Sequence, residues 1–128
     1  MKKKSILSVL FVGLFMIVLV AKGDNEPTKT ATMPDDVKAV IEKSCFGCHN
    51  TDSRNEDAKK ELDFKKLDEL STIKKIGTYK EIGETLEKGE MPPKKFLERF
   101  PDKQISDDEK KLLMDWSKKE AEALVKTK

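Results

Sequence analysis

The chain has 128 residues and is highly charged, with 26 basic and 24 acidic residues that make up 39% of it. Residues 1–23 contain four lysines and no acidic residue, so 22 basic and 24 acidic residues remain without them. This balance lacks the basic excess that nucleic-acid binding requires, so we expect no nucleic-acid partner. The length allows one small domain after the N-terminal segment.

The first 23 residues have the three-part pattern of a secretory signal peptide. Lysines at residues 2–4 precede an apolar run at 6–20, and the small residues Ala21 and Gly23 follow it. An N-terminal membrane anchor that is not cleaved is the alternative, because the run is only slightly shorter than a bilayer span. No cysteine follows the run, which excludes a lipoprotein anchor. Both interpretations predict an exported, periplasmic protein that contacts the membrane only if the segment is retained.

Residues 24–32 contain no large apolar side chain and are predicted to be a flexible linker. The domain then comprises residues 33–128. Its first helix is predicted after Pro34, because Val37, Val40 and Ile41 recur at helical spacing. This helix leads directly into the most specific motif of the chain.

That motif is Cys-Phe-Gly-Cys-His at residues 45–49, which has the Cys-x-x-Cys-His spacing of c-type haem attachment. Thiols at Cys45 and Cys48 can each add to one vinyl group of the porphyrin. The imidazole of His49 can then ligate the iron from below the ring. The motif therefore predicts one covalently bound haem c.

Two other interpretations of the cysteines compete with haem. A redox Cys-x-x-Cys pair would be expected in a βαβ context, which the sequence lacks. A structural zinc site needs four ligands, whereas the chain has two cysteines and one histidine. An acidic side chain could complete a zinc site, but this is an uncommon ligand set.

Three more helices are predicted downstream. Spacing from Phe64 to Ile73 predicts a second helix that ends at Gly77. A third is predicted to begin with a capping box of Thr78 and Glu81 and to end at Gly89. The last is predicted to begin with a second capping box, Ser106 and Glu109.

The last predicted helix buries an apolar face, whose expected members are Leu112, Leu113, Trp116 and Leu124. No stretch of the sequence shows the alternation of a half-buried strand. The predicted fold is therefore all-α.

The methionines offer a second axial ligand for the iron, because His49 is the only histidine. Met33 lies twelve residues before Cys45, so a helix would separate the two by roughly 18 Å. Met114 falls within the apolar face of the last helix. Met91 lies in a loop before Pro92, which favours an extended and restricted backbone, so Met91 is the expected distal ligand.

This order of segments resembles the class I cytochromes c, and more closely the haem-binding-domain family of small exported monohaem cytochromes. The resemblance is carried by residues 45–49, by Leu62-Asp63-Phe64, by Gly89-Glu90-Met91-Pro92, and further on by Phe100-Pro101, Ile105-Ser106 and Asp115-Trp116. It implies a cytochrome c-like helical domain around the haem, His49 and Met91 as axial ligands, and Trp116 close to the haem or to the first helix. The resemblance implies an aromatic-rich segment after the motif, but residues 50–57 contain no aromatic residue. This difference predicts a more exposed haem edge.

The predicted function is transfer of single electrons between periplasmic or membrane redox partners, without enzymatic activity. Thioether ligation favours ferrous iron, and two protein ligands leave no open position for a substrate. Partners would bind transiently, with docking expected near the basic residues Lys94, Lys95 and Arg99, and we expect a monomer. The alternatives are a sensor or peroxidase-like protein with an open distal site, and a non-haem interaction domain with a metal at the motif.

Overall fold

The computed structural model describes residues 33–127, which contain five α-helices and no strand. The helices are α1 (Asp35–Ser44), α2 (Glu56–Glu61), α3 (Thr72–Glu87), α4 (Lys94–Arg99) and α5 (Asp107–Lys126). Short 3₁₀ turns at Leu67–Glu69 and Pro101–Lys103 join them. The predicted all-α class is confirmed. The predicted signal peptide at 1–23 and linker at 24–32 lie outside the described residues.

Helix α1 forms as the apolar spacing predicts, and it places the Cys-x-x-Cys-His motif. Its side chains Val37, Val40 and Ile41 are buried in the core. The helix ends at Ser44, and the carbonyl of Ile41 accepts hydrogen bonds from the backbone N–H groups of both Cys45 and Phe46, each at 2.8 Å. The motif therefore continues the last turn of the helix as a series of tight turns.

The predicted boundary between a second and a third helix is wrong. The single helix α3 runs through Gly77 and Thr78 without a break, and its N-cap is Ser71, whose hydroxyl accepts from the backbone of Lys74. One glycine inside a helix costs only about 1 kcal/mol relative to alanine. Burial of Tyr79 and Leu86 against the core outweighs that cost, so the tertiary packing overrides the local signal.

The end of α3 was predicted correctly, and it directs the chain into the loop that carries Met91. Gly89 has φ of +67°, a left-handed conformation that glycine adopts without strain. The backbone N–H of Glu90 then donates to the carbonyl of Thr85 at 3.1 Å, and that of Gly89 to Leu86 at 3.0 Å. These bonds satisfy carbonyls at the helix end and fix the direction of the loop.

Helix α5 begins with the predicted capping box and packs along α3. The Ser106 hydroxyl accepts from the backbone N–H of Glu109 at 3.1 Å, and a Glu109 carboxylate oxygen accepts from that of Ser106 at 2.8 Å. Ser117 of α5 faces Gly83 of α3 so closely that a Cβ on Gly83 would lie 3.2 Å from its Oγ. Small residues at this crossing let the two longest helices approach each other.

Glu109 also joins the last helix to the first. Its carboxylate accepts from Lys43 Nζ at 2.5 and 2.7 Å, and both side chains are about one-third exposed. The hydrogen bond from Lys43, followed by that from the Ser106 backbone, lowers the pKa of Glu109. This ion pair connects the end of α1, next to the motif, to the start of α5.

The lowered pKa of Glu109 predicts a pH-dependent contribution to stability. A carboxyl whose pKa is lower in the folded than in the unfolded chain stabilises the fold above its unfolded value, here 4.5, and loses that contribution as the pH falls through the folded value. Glu109→Gln should lower the free energy of unfolding by about 1 kcal/mol at neutral pH. The difference should vanish in acid, as measured by urea unfolding against pH.

Glu122→Gln provides the control for this measurement, because Glu122 is exposed on the same helix and forms no ion pair within residues 33–127. The control should follow the wild type at every pH. An equal loss in both variants, or a gap that widens in acid, would contradict the role assigned to the Lys43–Glu109 pair.

Candidate functional site

All five helices contribute residues to one apolar cavity of about 350 Å³. That volume is within the range of small-molecule sites, about 300–1,000 Å³. The cavity brings together the five residues that the sequence identifies as haem-binding candidates, which are Cys45, Cys48, His49, Met91 and Trp116. Residues separated by more than seventy positions along the chain therefore line the same space.

The imidazole of His49 is held by the backbone that follows it. Its Nδ1 atom lies 2.9 Å from the carbonyl oxygen of Ala58 and 3.2 Å from that of Leu62. Because carbonyl oxygens only accept hydrogen bonds, Nδ1 carries a hydrogen, and Nε2 is the nitrogen that remains available to a metal. A hydrogen bond from the other ring nitrogen is what orients a histidine that ligates a metal.

Asn50 ties this segment to the motif. Its side-chain amide donates to the carbonyl of Phe46, and its Oδ1 atom accepts from the backbone N–H of Asp52 at 2.8 Å. The carbonyl of His49 accepts from the backbone N–H of Phe64 at 3.1 Å. The segment from His49 to Phe64 therefore forms a loop that is closed by a backbone hydrogen bond between its first and last residues.

Cys45 and Cys48 both line the cavity, and both are free thiols. Burial, reinforced by the neighbouring Cys48, raises the pKa of the Cys45 thiol to about 11. A redox-active cysteine of a Cys-x-x-Cys pair needs the opposite, a lowered pKa. The raised pKa of Cys45 is therefore evidence against a redox Cys-x-x-Cys pair.

Of the three methionines in the described residues, Met91 alone lines the cavity. Met33 and Met114 pack against the hydrophobic core instead. The Met91 side chain is 38% exposed, whereas the following Pro92 is buried and Pro93 forms the N-cap of α4. A thioether in a loop fixed on both sides thus faces the same space as His49.

Trp116 of α5 lines the cavity, and Tyr79 supports it from α3. The two rings meet edge to face, with centroids 5.3 Å apart and an interplanar angle of 89°. Tyr79 belongs to the core and does not line the cavity; burial raises the pKa of its hydroxyl to about 12. Arg54 is exposed and away from the lining, so Trp116 is the one of these three residues placed to contact a bound group.

The residues present fit a haem. His49 offers Nε2 to an iron, Met91 offers a sulfur atom, and two thiols lie one helical turn apart. Ser44 lines the same cavity, and its hydroxyl is buried without a hydrogen-bond partner among residues 33–127. A buried polar group of this kind normally has a partner, which a ligand in the cavity can supply.

An all-α domain with this donor set around an apolar cavity defines a haem protein. The model of the haem-binding domain family matches residues 52–119, which is more than half of the chain. The chain therefore belongs to the haem-binding domain family. The matched region includes Met91 and Trp116 and begins just after His49, so the attachment motif is a separate observation. No curated protein and no solved structure matches the chain.

Helix α2 and the backbone carbonyls of Ala58 and Leu62 that contact His49 were not predicted from the sequence. A signal was present, because Asn55 is an N-cap residue followed by Glu56 and Asp57, which suit the first turn of a helix. The helix is only six residues long and buries no side chain completely, so it has no apolar periodicity to detect. Four further lining residues were not predicted for the site: Glu61 and Phe96 belong to no motif, and Glu81 and Glu90 were named only within a capping box and within the Gly-Glu-Met-Pro segment.

The bonds of Asn50 predict that its side chain stabilises the attachment loop. Asn50→Ala would leave the Phe46 carbonyl and the Asp52 N–H without their partners, at a cost of about 1–3 kcal/mol in the free energy of unfolding. Thr51→Ala is the control, because Thr51 is exposed and bonds only to the Asp63 side chain. Urea unfolding should show the larger loss for Asn50→Ala, and equal losses would contradict this assignment.

Proposed function

We propose that this haem protein is a monohaem c-type cytochrome that carries single electrons and is not an enzyme. One observation supports this most directly. The oriented imidazole of His49 and the thioether of Met91 line the same cavity, together with both cysteines. A haem bound there would supply an iron that alternates between the ferric and ferrous states.

The chain's own residues explain why such a site would favour electron transfer. His49 is fixed by two backbone carbonyls, so it can stay in place in both oxidation states. The Met91 thioether favours ferrous iron and raises the reduction potential relative to a second imidazole. If His49 and Met91 both held the iron of a bound haem, neither dioxygen nor peroxide would find an open position on it.

Covalent attachment through Cys45 and Cys48 suits a carrier that meets its partners outside the cytoplasm. The N-terminal pattern supports export to the periplasm, and thioether bonds keep the cofactor from being lost there. The partners are proposed to be redox proteins that bind transiently to a monomer. Lys94, Lys95 and Arg99 are exposed on α4, whose Phe96 lines the cavity, so they lie beside the candidate contact region.

A haem-based sensor or peroxidase-like protein is the second candidate. The 38% exposure of the Met91 side chain favours it, because an exposed ligand can be displaced by a small molecule. Among residues 33–127, no second histidine and no arginine lines the cavity to polarise a bound peroxide. The carrier is therefore the better-supported function.

Covalent attachment predicts that haem stays with the polypeptide after unfolding. In protein matured by a c-type assembly system, haem staining should follow the wild-type chain on a denaturing gel. The Cys45→Ala/Cys48→Ala double variant should lose the stain, because no thioether bond can form. Extraction of haem from the wild type by acidified organic solvent would show that the haem is not covalently bound.

Ligation by Met91 predicts a sulfur-to-iron charge-transfer band in the far red of the ferric spectrum. Met91→Ala should abolish the band and lower the reduction potential, because the thioether is lost. Met114→Ala makes the same chemical change at a residue that packs in the core, and it should keep the band. A high-spin wild type that binds carbon monoxide when reduced would favour the sensor and refute the carrier.

A further inference from the structure

The chain contains one tryptophan and one tyrosine, and the fold places them in contact. Trp116 of α5 lines the haem cavity, whereas Tyr79 of α3 lines a separate surface groove between the same two helices. The two rings meet edge to face, with centroids 5.3 Å apart. The aromatic pair therefore forms a direct contact between the haem cavity and a second recess of the domain.

This second recess, the α3–α5 groove, lies on other faces of the two helices. It is lined on α3 by Tyr79, Gly83 and Glu87, and on α5 by Ser117 and Ala121, among others. None of the residues that line the groove also lines the haem cavity. Tyr79 is 7% exposed, so its ring is covered by the core while its edge reaches the groove.

Trp116 and Tyr79 differ chemically from the side chains packed around them. Indole and phenol can each lose one electron to a strong oxidant and regain it, whereas aliphatic side chains and the phenylalanine ring cannot. The other buried members of the core cluster are aliphatic, such as Val37, Ile41 and Leu113. Edge-to-face packing by itself stabilises a core, so a role in electron transfer needs a test that leaves the packing intact.

We propose that Trp116 and Tyr79 carry electrons from the haem to the α3–α5 groove when a strongly oxidising one-electron acceptor reaches the groove. This inference rests on the electron-carrier function proposed above and adds a second exit for the electron. Tyr79 gives one electron to the acceptor, and Trp116 replaces it. Trp116 in turn regains its electron from ferrous iron, which becomes ferric.

The proton of Tyr79 moves together with its electron. Burial raises the pKa of Tyr79 to about 12, so its hydroxyl is protonated at neutral pH. Oxidation of Tyr79 therefore releases the phenolic proton to water, and its reduction by Trp116 takes a proton back. The net reaction moves one electron from the iron to the acceptor and leaves both side chains unchanged.

A photochemical oxidant attached at one position can test this route in the haem-loaded protein. Glu122→His places an imidazole in the groove for a ruthenium bipyridine label. Glu98→His makes the same change at an exposed position of α4 that lines neither recess. After a flash, a dissolved quencher takes one electron from the excited label, and the ruthenium(III) that forms is the oxidant. Haem absorbance then reports oxidation of the iron.

In the reduced protein, the groove label should oxidise the haem in a fast phase that is lost in Tyr79→Phe. This variant keeps the ring and its packing against Trp116 and removes only the oxidisable phenol, so it should fold as the wild type does. Haem oxidation from the α4 label should be the same in both proteins. Trp116→Phe should also abolish the fast phase from the groove label.

The ferric protein separates the two residues of the route. Ferric iron does not replace the lost electron, so the flash should leave a tyrosyl radical on the groove-labelled protein. The radical can be assigned to Tyr79 because the chain has no other tyrosine. Tyr79→Phe should lose the radical signal, whereas Trp116→Phe should retain it because Trp116 lies on the cavity side of Tyr79.

Three outcomes would overturn the proposal. Equally fast haem oxidation from the groove label in the wild type and in Tyr79→Phe would mean that Tyr79 is not on the route. Slower oxidation from both labels in Tyr79→Phe would mean that the substitution acts by disturbing the haem site. If neither label oxidises the ferrous haem, the carrier function itself fails, and the α4 label distinguishes that failure from the failure of the route.

Discussion

The hydrogen bond from His49 Nδ1 to the carbonyls of Ala58 and Leu62 is the interaction on which the site depends. It fixes the ring, leaves Nε2 as the nitrogen available to a metal, and requires the short helix α2 in a particular place. Helix α2 in turn depends on the Asn55 cap, because it buries no side chain of its own. A helix with little intrinsic stability is thus held by its neighbours so that its backbone can orient one imidazole.

The loop that carries Met91 is positioned differently from the segment that carries His49. Its course is set by the left-handed Gly89 and by the buried Pro92. Helices α3 and α5 also line the cavity, and they approach closely where Gly83 meets Ser117. The lining therefore combines one part made of local hydrogen bonds with another part positioned by packing between distant helices.

The parts of the fold that could be predicted from sequence are those where a residue type has a single characteristic structural role. The Ser106–Glu109 capping box, the helix end at Gly89 and the buried face around Trp116 all follow from local patterns. The continuous helix through Gly77 could not be predicted, because burial of Tyr79 and Leu86 by α5 decides it. Local sequence patterns predict structure poorly where contacts with distant segments supply most of the stabilising free energy.

The candidate site shows the same division. The Cys-x-x-Cys-His motif and Met91 could be selected from the sequence because covalent attachment and iron ligation restrict residue type. The carbonyls of Ala58 and Leu62 could not be selected from the sequence, because every residue has a backbone carbonyl and only the folded structure sets its direction. The lining positions of Glu61, Glu81 and Glu90 could not be predicted either, because in a chain that is 39% charged no single glutamate stands out.

The different construction of these two parts of the lining has a consequence for the order in which the domain opens. The segment that carries His49 closes on itself between His49 and Phe64, so it can persist while more distant contacts break. The Met91 loop joins α3 to α4, and α4 is only six residues long and buries no side chain completely. Segments with few buried contacts open at a lower free energy than the whole domain unfolds. Partial opening would therefore move the Met91 loop out of the lining first and leave the His49 segment in place, in a partly open state that precedes unfolding of the domain.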